Sequence, residues 1–383
     1  MQKTDVIIIG GGVLGTFHAY HALEKGFSVR LFEKNKRPLG ATVRNFGQIV
    51  PSGMDTKWQA YGRKSLAIYK DLQTKVDIAI RPLGSIYIAS NEEEMTLLEE
   101  LSVINQANDY PSHLLTSKEC LDRYEGLKSD YCVGGLFFPE EISADARVMI
   151  HRVLDYLQKE NGLNYHPNTL IQRVEQVNGE CRVTNQNGVT YTAQKVIICG
   201  GDEFKVLFPE VFAESDLEVT KLQMLQTASQ PKQRIHGNIL TGLSIRRYES
   251  FRACPSYTAI KEKEDNQALW KKWGVHVLFK QNSDGSVIIG DSHEYADAMD
   301  IDDLGFDIRS DINNYILAEA QKIFELDTWD IQKSWFGRYS QCKTQDLFRH
   351  TIADHIHIVT GIGGKGMTGS AGFAQGHITQ LLA

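Results

Sequence analysis

The chain has 383 residues, 42% of them hydrophobic and 23% charged, and a formal net charge of −7. This length and balance suit a globular protein with core enough for two domains, and the acidic excess argues against nucleic acid or an anionic membrane as the main partner. Six cysteines without a C-x-x-C pair point to reduced thiols in a cytoplasmic setting; no stretch approaches the roughly 18 apolar residues of a membrane span, and the short, glycine-broken apolar run near the N-terminus does not read as a signal peptide.

In chain order, the first element is a buried strand, Val6-Ile7-Ile8-Ile9, followed by the turn Gly10-x-Gly12-x-x-Gly15 and a helix over residues 14–24. A second strand, residues 28–32, ends in Glu33 about 20 residues beyond the glycines, where an acid accepts a ribose hydroxyl. Strand, glycine turn, helix, strand and acid together predict a bound adenine dinucleotide with its phosphates at the helix N-terminus.

Residues 40–48 have neither helical nor strand period and read as a loop, in which Gly40 and Gly47 permit unusual backbone angles. An amphipathic helix follows over residues 54–72, then a strand at 85–89. Ser90-Asn91-Glu92-Glu93 reads as a capping box opening a helix with Met95, Leu98 and Leu101 inward. Ser143 or Asp145 caps a helix running to about Lys159. Asn178-Gly179 and Asn187-Gly188 mark hairpin turns, and the meander ends in a second buried strand running into glycines, residues 195–201.

Residues 217–302 read as strand-rich with a turn at Asp284-Gly285, and the alternation over 221–227 suits a half-buried antiparallel strand. Residues 302–326 look helical, and 334–383 form the last segment. The order implies two discontinuous domains. Residues 1–78, 143–216 and 330–383 would form the nucleotide domain, and 79–142 with 217–329 the substrate domain.

The final segment carries a strand at 358–360, a glycine-rich turn with one lysine (Gly361-Ile362-Gly363-Gly364-Lys365-Gly366) and a helix toward Leu382. Such a helix start suits the electron-rich end of a reduced isoalloxazine, which a nicotinamide enzyme does not require there. Together with the N-terminal turn, the 41–48 stretch, the strand at 195–201 and Gly337-Arg338, these motifs resemble, in order and over nearly the whole chain, the FAD-dependent amine and amino-acid oxidases. That group includes glycine oxidase, D-amino-acid oxidase and monomeric sarcosine oxidase. Residues 43–47 and 221–225 resemble a subgroup associated with aminophosphonate breakdown.

The resemblance implies an α/β fold: a Rossmann-type FAD-binding domain with an inserted α+β substrate domain on an antiparallel sheet. It implies that Gly10, Gly12, Gly15, Glu33 and Lys34 hold the adenosine diphosphate half. Thr42, Arg44, Asn45, Phe46 and Gly47 would lie along the pyrophosphate and flavin edge, Val174 near adenine, and Cys199 and Gly200 at the end of the returning strand. Gly363, Gly364, Lys365, Gly366, Met367 and Thr368 would face the flavin pyrimidine, and Gln48 the substrate side of the ring.

Arg338 matches the arginine that clamps a substrate carboxylate, a role suited to a planar guanidinium. Arg247 and Tyr257 are further substrate-side candidates, although on a strand Arg247 and Tyr248 would point to opposite faces. Cys342 is misplaced for flavin attachment, so the FAD is expected to be non-covalent, and residues 287–293 lack the lysine associated with oxygen activation. Oxygen and another electron acceptor therefore both stay open. His293 reads as a polar residue near the domain boundary, and His355-x-His357 lacks a third ligand for a metal.

The expected reaction is oxidation of the C–N bond of a small anionic amine to an imine that hydrolyses. The alternatives are a flavin subunit of a larger dehydrogenase complex, or an RNA-base-modifying flavin enzyme.

Overall fold

The computed structural model describes residues 4–382. Strand β1 (Thr4–Ile9) is buried on both faces, which is why it reads as an unbroken apolar run. Val6 and Ile8 pack among α1 (Val13–Glu24) and the C-terminal helix Gly366–Leu381, whereas Ile7 packs on the opposite side with Val183 and Val196. β1 pairs in parallel with β2 (Val29–Phe32) on one edge and with Thr190–Ile198 on the other. The first half of Thr190–Ile198 pairs antiparallel with Glu180–Asn185, and its second half pairs in parallel with Ile356–Thr360. The returning strand and the last strand thus join the eight-stranded sheet of β1. The hairpin at Asn178-Gly179 has φ of +53° and +81° and joins the paired residues Val177 and Glu180. Two such residues make the turn whose twist matches its strands.

A second sheet has nine strands, built around Leu217–Ser229. That strand pairs with Ile331–Cys342 on one edge, and with Ser286–Gly290 and Glu294–Asp297 on the other. Ile312, Ile316, Ala320 and Ile323 of the helix Ser310–Ile323 close over this sheet. A small sheet of Gln48–Ile49, Ile142–Ala144 and Ile80–Arg81 carries the end of the 40–48 stretch.

Several expectations need correction. Residues 221–227 are buried on both faces, because the polar side of the strand is covered by the segment before the helix. The Lys221 ammonium donates to the Leu304 carbonyl at 2.7 Å, and Gln223 donates to Arg309 and Asn313. Between the strands, the 217–302 stretch holds the short helices Gly242–Ile245, Tyr257–Glu262 and Leu269–Lys272. Residues 302–326 are helical only over Ser310–Ile323, preceded by a 3₁₀ stretch Ala298–Leu304. The 40–48 loop contains a short helix, Ala41–Arg44. The helix Glu92–Ala107 is capped one residue later than expected: Asn91 accepts the Glu94 N–H at 3.0 Å, and the Glu94 carboxylate turns back to Ser90. Asp145, not Ser143, caps the helix Ala146–Glu160. Among the described residues no helix is long and apolar enough to cross a membrane.

Candidate active site

A cavity of about 870 Å³ is lined at once by the carboxyl ends of β1 and β2, by the start of the C-terminal helix and by the second sheet. Its first wall is the glycine turn. Gly10 has φ +102°, and a Cβ there would lie 2.2 Å from the Cys199 carbonyl oxygen, so no side chain fits. A Cβ on Gly15 would meet the Gly10 carbonyl at 1.9 Å, which is why α1 can lie close on β1. At Gly12 a Cβ would touch only the Thr42 hydroxyl, at 3.4 Å, leaving the outer side of the turn open. The Val13 N–H donates to Thr42 Oγ1 at 3.0 Å. Glu33 is fixed at the end of β2 by the Gly11 N–H (3.0 Å) and the Asn35 N–H (2.9 Å). Lys34 lines the cavity and pairs with Glu203 at 2.7 Å.

Asn45 fastens the next wall. Its amide donates to the carbonyls of Ala41 and Thr42, and its oxygen accepts the Gly47 N–H at 2.7 Å. Phe46 and Gln48 are buried and line the cavity, and the Gln48 side-chain amide nitrogen is buried without a partner. At the start of the C-terminal helix no side chain caps the first turn, and the Gly366 N–H is taken by the Gly363 carbonyl, so the helix start turns a partial positive charge toward the cavity. The Thr368 hydroxyl accepts the Val50 N–H at 3.1 Å, and Lys365 pairs with Glu249 at 2.9 Å.

Of the residues singled out from the sequence, Gly10, Gly12, Glu33, Lys34, Thr42, Asn45, Phe46, Gln48, Cys199, Gly200, Gly363, Gly364, Lys365, Gly366, Met367, Thr368, Arg247 and Arg338 line this one cavity. Five expected positions do not. Gly15 acts in helix packing, as above. Gly47 (φ +75°) is held against the Ala144 carbonyl, 2.1 Å from where its Cβ would be. Arg44 is exposed and donates to the Leu39 carbonyl. Val174 sits in the core, while Thr169, Leu170 and Ile171 supply that stretch of wall. Tyr257 donates to the Arg246 carbonyl at 3.3 Å, away from the cavity.

The second sheet contributes a cluster in which the sequence had pointed to Arg247 but not to His276, Asp291 or Tyr339. Arg247 and Tyr248 follow the short helix Gly242–Ile245 instead of lying on a strand, and both reach the cavity. Arg247 is half-buried and donates to the Tyr295 hydroxyl at 3.1 Å and to the Gly274 carbonyl at 3.4 Å. Arg338 instead lies 3.2 Å from Asp202. On its strand Tyr339 alternates to the other face, with its ring 6.5 Å from His293.

Buried Asp291 lies 2.8 Å from His276 Nε2 and 3.6 Å from His293 Nδ1. Burial works to raise its carboxyl, but His276, which also bonds to it, and the Arg247 guanidinium hold it below the usual carboxylate range. His293 Nδ1 donates to the Gly274 carbonyl at 2.9 Å, which leaves Nε2 as an acceptor. Burial first, then Arg247, pushes His293 down to about 3, so the ring is neutral. These three are the one group of possible metal ligands among the described residues, and His355 and His357 gather no third. The detectable signal for Asp291 and His276 was the hairpin at Asp284-Gly285, which sets their strands side by side. Tyr339 stood next to the arginine of the recognised motif.

The walls fit an extended dinucleotide flavin: an acid at the end of β2, an open glycine turn, and an uncapped helix start with a buried unpaired amide beside it. Residues 5–381 match the family of FAD dependent oxidoreductases. The chain is 24% identical over 377 residues to an opine oxidase subunit from Rhizobium meliloti, covering 94% of this chain and 85% of that protein. Its fold is similar to glycine oxidase from Geobacillus kaustophilus (TM-score 0.76, 17% identity, 99% of this chain and 95% of that one). It is equally similar to the L-alpha-glycerophosphate oxidase of Mycoplasma pneumoniae, solved with FAD bound (TM-score 0.76, 18% identity, 100% and 95%). The chain belongs to the FAD-dependent oxidoreductase family.

Proposed function

We propose that the chain oxidises the C–N bond of a small primary or secondary amine that carries a carboxylate or phosphonate. The observation that supports this reading is the half-buried Arg247 beside the neutral lone pair of His293, in the cavity that also contains the uncapped helix start. Bound FAD supplies a hydride acceptor. Arg247, oriented by Tyr295, anchors the anion, and the Tyr339 and Tyr248 rings shape the space around it. Arg338 is already engaged by Asp202 and takes no part in the anchor. His293 Nε2 accepts an N–H of the substrate and places the α-carbon toward the helix start, while Asp291 and His276 hold the histidine's wall in place. The imine product then takes up water to give an aldehyde or keto acid.

Burial of Tyr248 and Tyr339 pushes both hydroxyls above their ordinary range, so near neutrality they offer hydrogen bonds without adding charge. That leaves Arg247 as the charge that attracts the anion. The resemblance of residues 43–47 and 221–225 adds weight to an aminophosphonate as substrate. A cytoplasmic location follows in the same reading.

The test is an anaerobic titration of the purified, FAD-loaded chain, following flavin absorbance, with glycine, sarcosine, D-amino acids, 2-aminoethylphosphonate and its N-methyl form. Bleaching by one of them, with no second chain present, establishes the reaction, selects the anion and excludes a requirement for a partner protein. A flavin that none of these compounds bleaches overturns the reading.

A further inference from the structure

Buried ammonium groups are normally paired with an acid, and Lys280 is not. It stands on the strand Leu278–Gln281, on the same face as Leu278, which lines the flavin cavity. The residue is 1% exposed. Its Nζ donates to the Ala144 carbonyl at 2.6 Å, and among the described residues it has no other hydrogen bond and no ion pair. Burial lowers the amine to about 7; at longer range Asp145 and Asp284 act to raise it, and Arg81 and Arg147 to lower it. A methionine would fill this space without the cost of burying an unpaired cation. Packing alone therefore does not account for a lysine here.

The ammonium meets the back of the 45–48 wall. The Ala144 N–H donates to the Gly47 carbonyl at 2.7 Å, and Gln48 pairs with Ser143, so the carbonyl that Lys280 holds belongs to the strand on which this wall rests. A Cβ on Gly47 would lie 3.0 Å from Lys280 Nζ, besides its clash with the Ala144 carbonyl. The glycine thus lets the ammonium close against the backbone between Phe46 and Gln48, and both of those residues line the cavity. Lys365, the cation at the helix start, is by contrast already paired with Glu249.

We propose that Lys280 is a positioning residue of the flavin site, which fastens the 45–48 wall and sets an unpaired positive charge behind it. Reduction gives the flavin ring electrons and negative charge, and a cation held close by in a water-poor interior favours that state. The effect is to raise the reduction potential of the bound flavin. The inference rests on the family's cofactor lying in this cavity against the 45–48 wall, and not on the amine substrate.

The experiment compares the FAD-loaded chain with Lys280→Met and with Lys280→Gln, which keeps a hydrogen-bond donor without the charge. Replacing a buried unpaired cation removes its desolvation cost, so both variants should fold. Sulfite affinity is read from flavin absorbance, because sulfite adds to the oxidised ring and leaves negative charge on it. The midpoint potential is read against a reference dye from pH 6 to pH 9. At pH 6 both variants are expected to bind sulfite about tenfold or more weakly and to have a lower potential, with FAD affinity within about threefold of the parent. Above about pH 7 the parent's Lys280 loses its proton, so the difference in potential should narrow toward pH 9.

Equal sulfite affinity and equal potential in the parent and Lys280→Met overturn the proposal. A difference in potential that stays constant from pH 6 to pH 9 also overturns it, because the effect then comes from packing and not from charge. Neither measurement uses an amine, so this proposal and the amine reading fail separately.

Discussion

Arg247 and Arg338 show how much depends on where a single side chain points. Both line the cavity, but Arg338 pairs with Asp202, whereas Arg247 donates to the Tyr295 hydroxyl and a carbonyl and forms no ion pair among the described residues, buried Asp291 acting on it only at longer range. Removing an unpaired cation that clamps an anion costs about 1.5–3 kcal/mol, roughly 10- to 150-fold in kcat/KM. Arg247→Ala is therefore expected to lose that much with the anionic amine while its flavin spectrum stays unchanged, and Arg338→Ala to lose less than about threefold. Steady-state kinetics of the two variants decide the matter, and the reverse order would reinstate Arg338. The sequence made Arg338 the prominent arginine for a physical reason. Arg338 sits in a recognisable motif, but strand alternation turns Tyr339 rather than Arg338 toward His293. Arg247 lies just past a four-residue helix, Gly242–Ile245, too short for any period to announce it.

Elements with local chemistry were legible, and those defined by distant partners were not. The glycine turn and the Asn178-Gly179 hairpin carry their instructions within a few residues and form where those residues stand, and the cap expected at Ser90 falls one residue later, at Asn91. The expected half-buried strand at 221–227 is instead covered on its polar side by residues about 80 positions away in sequence, a burial that no window over the strand contains. Within the legible turn, Gly15 has the most demanding position. Its Cβ would lie 1.9 Å from the Gly10 carbonyl, and the obstacle is backbone and cannot rotate aside. Gly15→Ala must push α1 off β1, an overpacking expected to cost about 1–3 kcal/mol. Because the same shift moves the helix N-terminus, FAD affinity should fall as well. Chemical denaturation of the apoprotein and titration of FAD by fluorescence quenching measure the two effects. A variant with parental stability and parental FAD affinity would refute the packing argument.

At the scale of the whole molecule, the two sheets and the helices between them enclose an unusual number of neutral histidines. Burial, as the largest cause, lowers His18, His21 and His357 to about 4 and His377 to about 3. His18 and His377 are bonded to each other at 2.9 Å across α1 and the C-terminal helix. In the unfolded chain these imidazoles titrate near 6.5. Between that value and about 4 the unfolded state binds more protons than the folded one, so stability falls as pH falls through this window. For fully buried His18 alone the loss at pH 5 is on the order of 2 kcal/mol. Glu141 opposes this trend. Burial raises it to about 7, so its folded form holds a proton the unfolded form has released, and its contribution grows as pH falls toward its ordinary value. One carboxyl acts against these four imidazoles and His293, also lowered by burial to about 3, so the histidines prevail. The melting temperature, followed by circular dichroism at a fixed saturating FAD concentration, should therefore drop steadily from pH 7 to pH 5, and His18→Gln should flatten the slope over that range. A melting temperature that holds or rises on acidification would mean that the histidine cluster takes up protons within the fold.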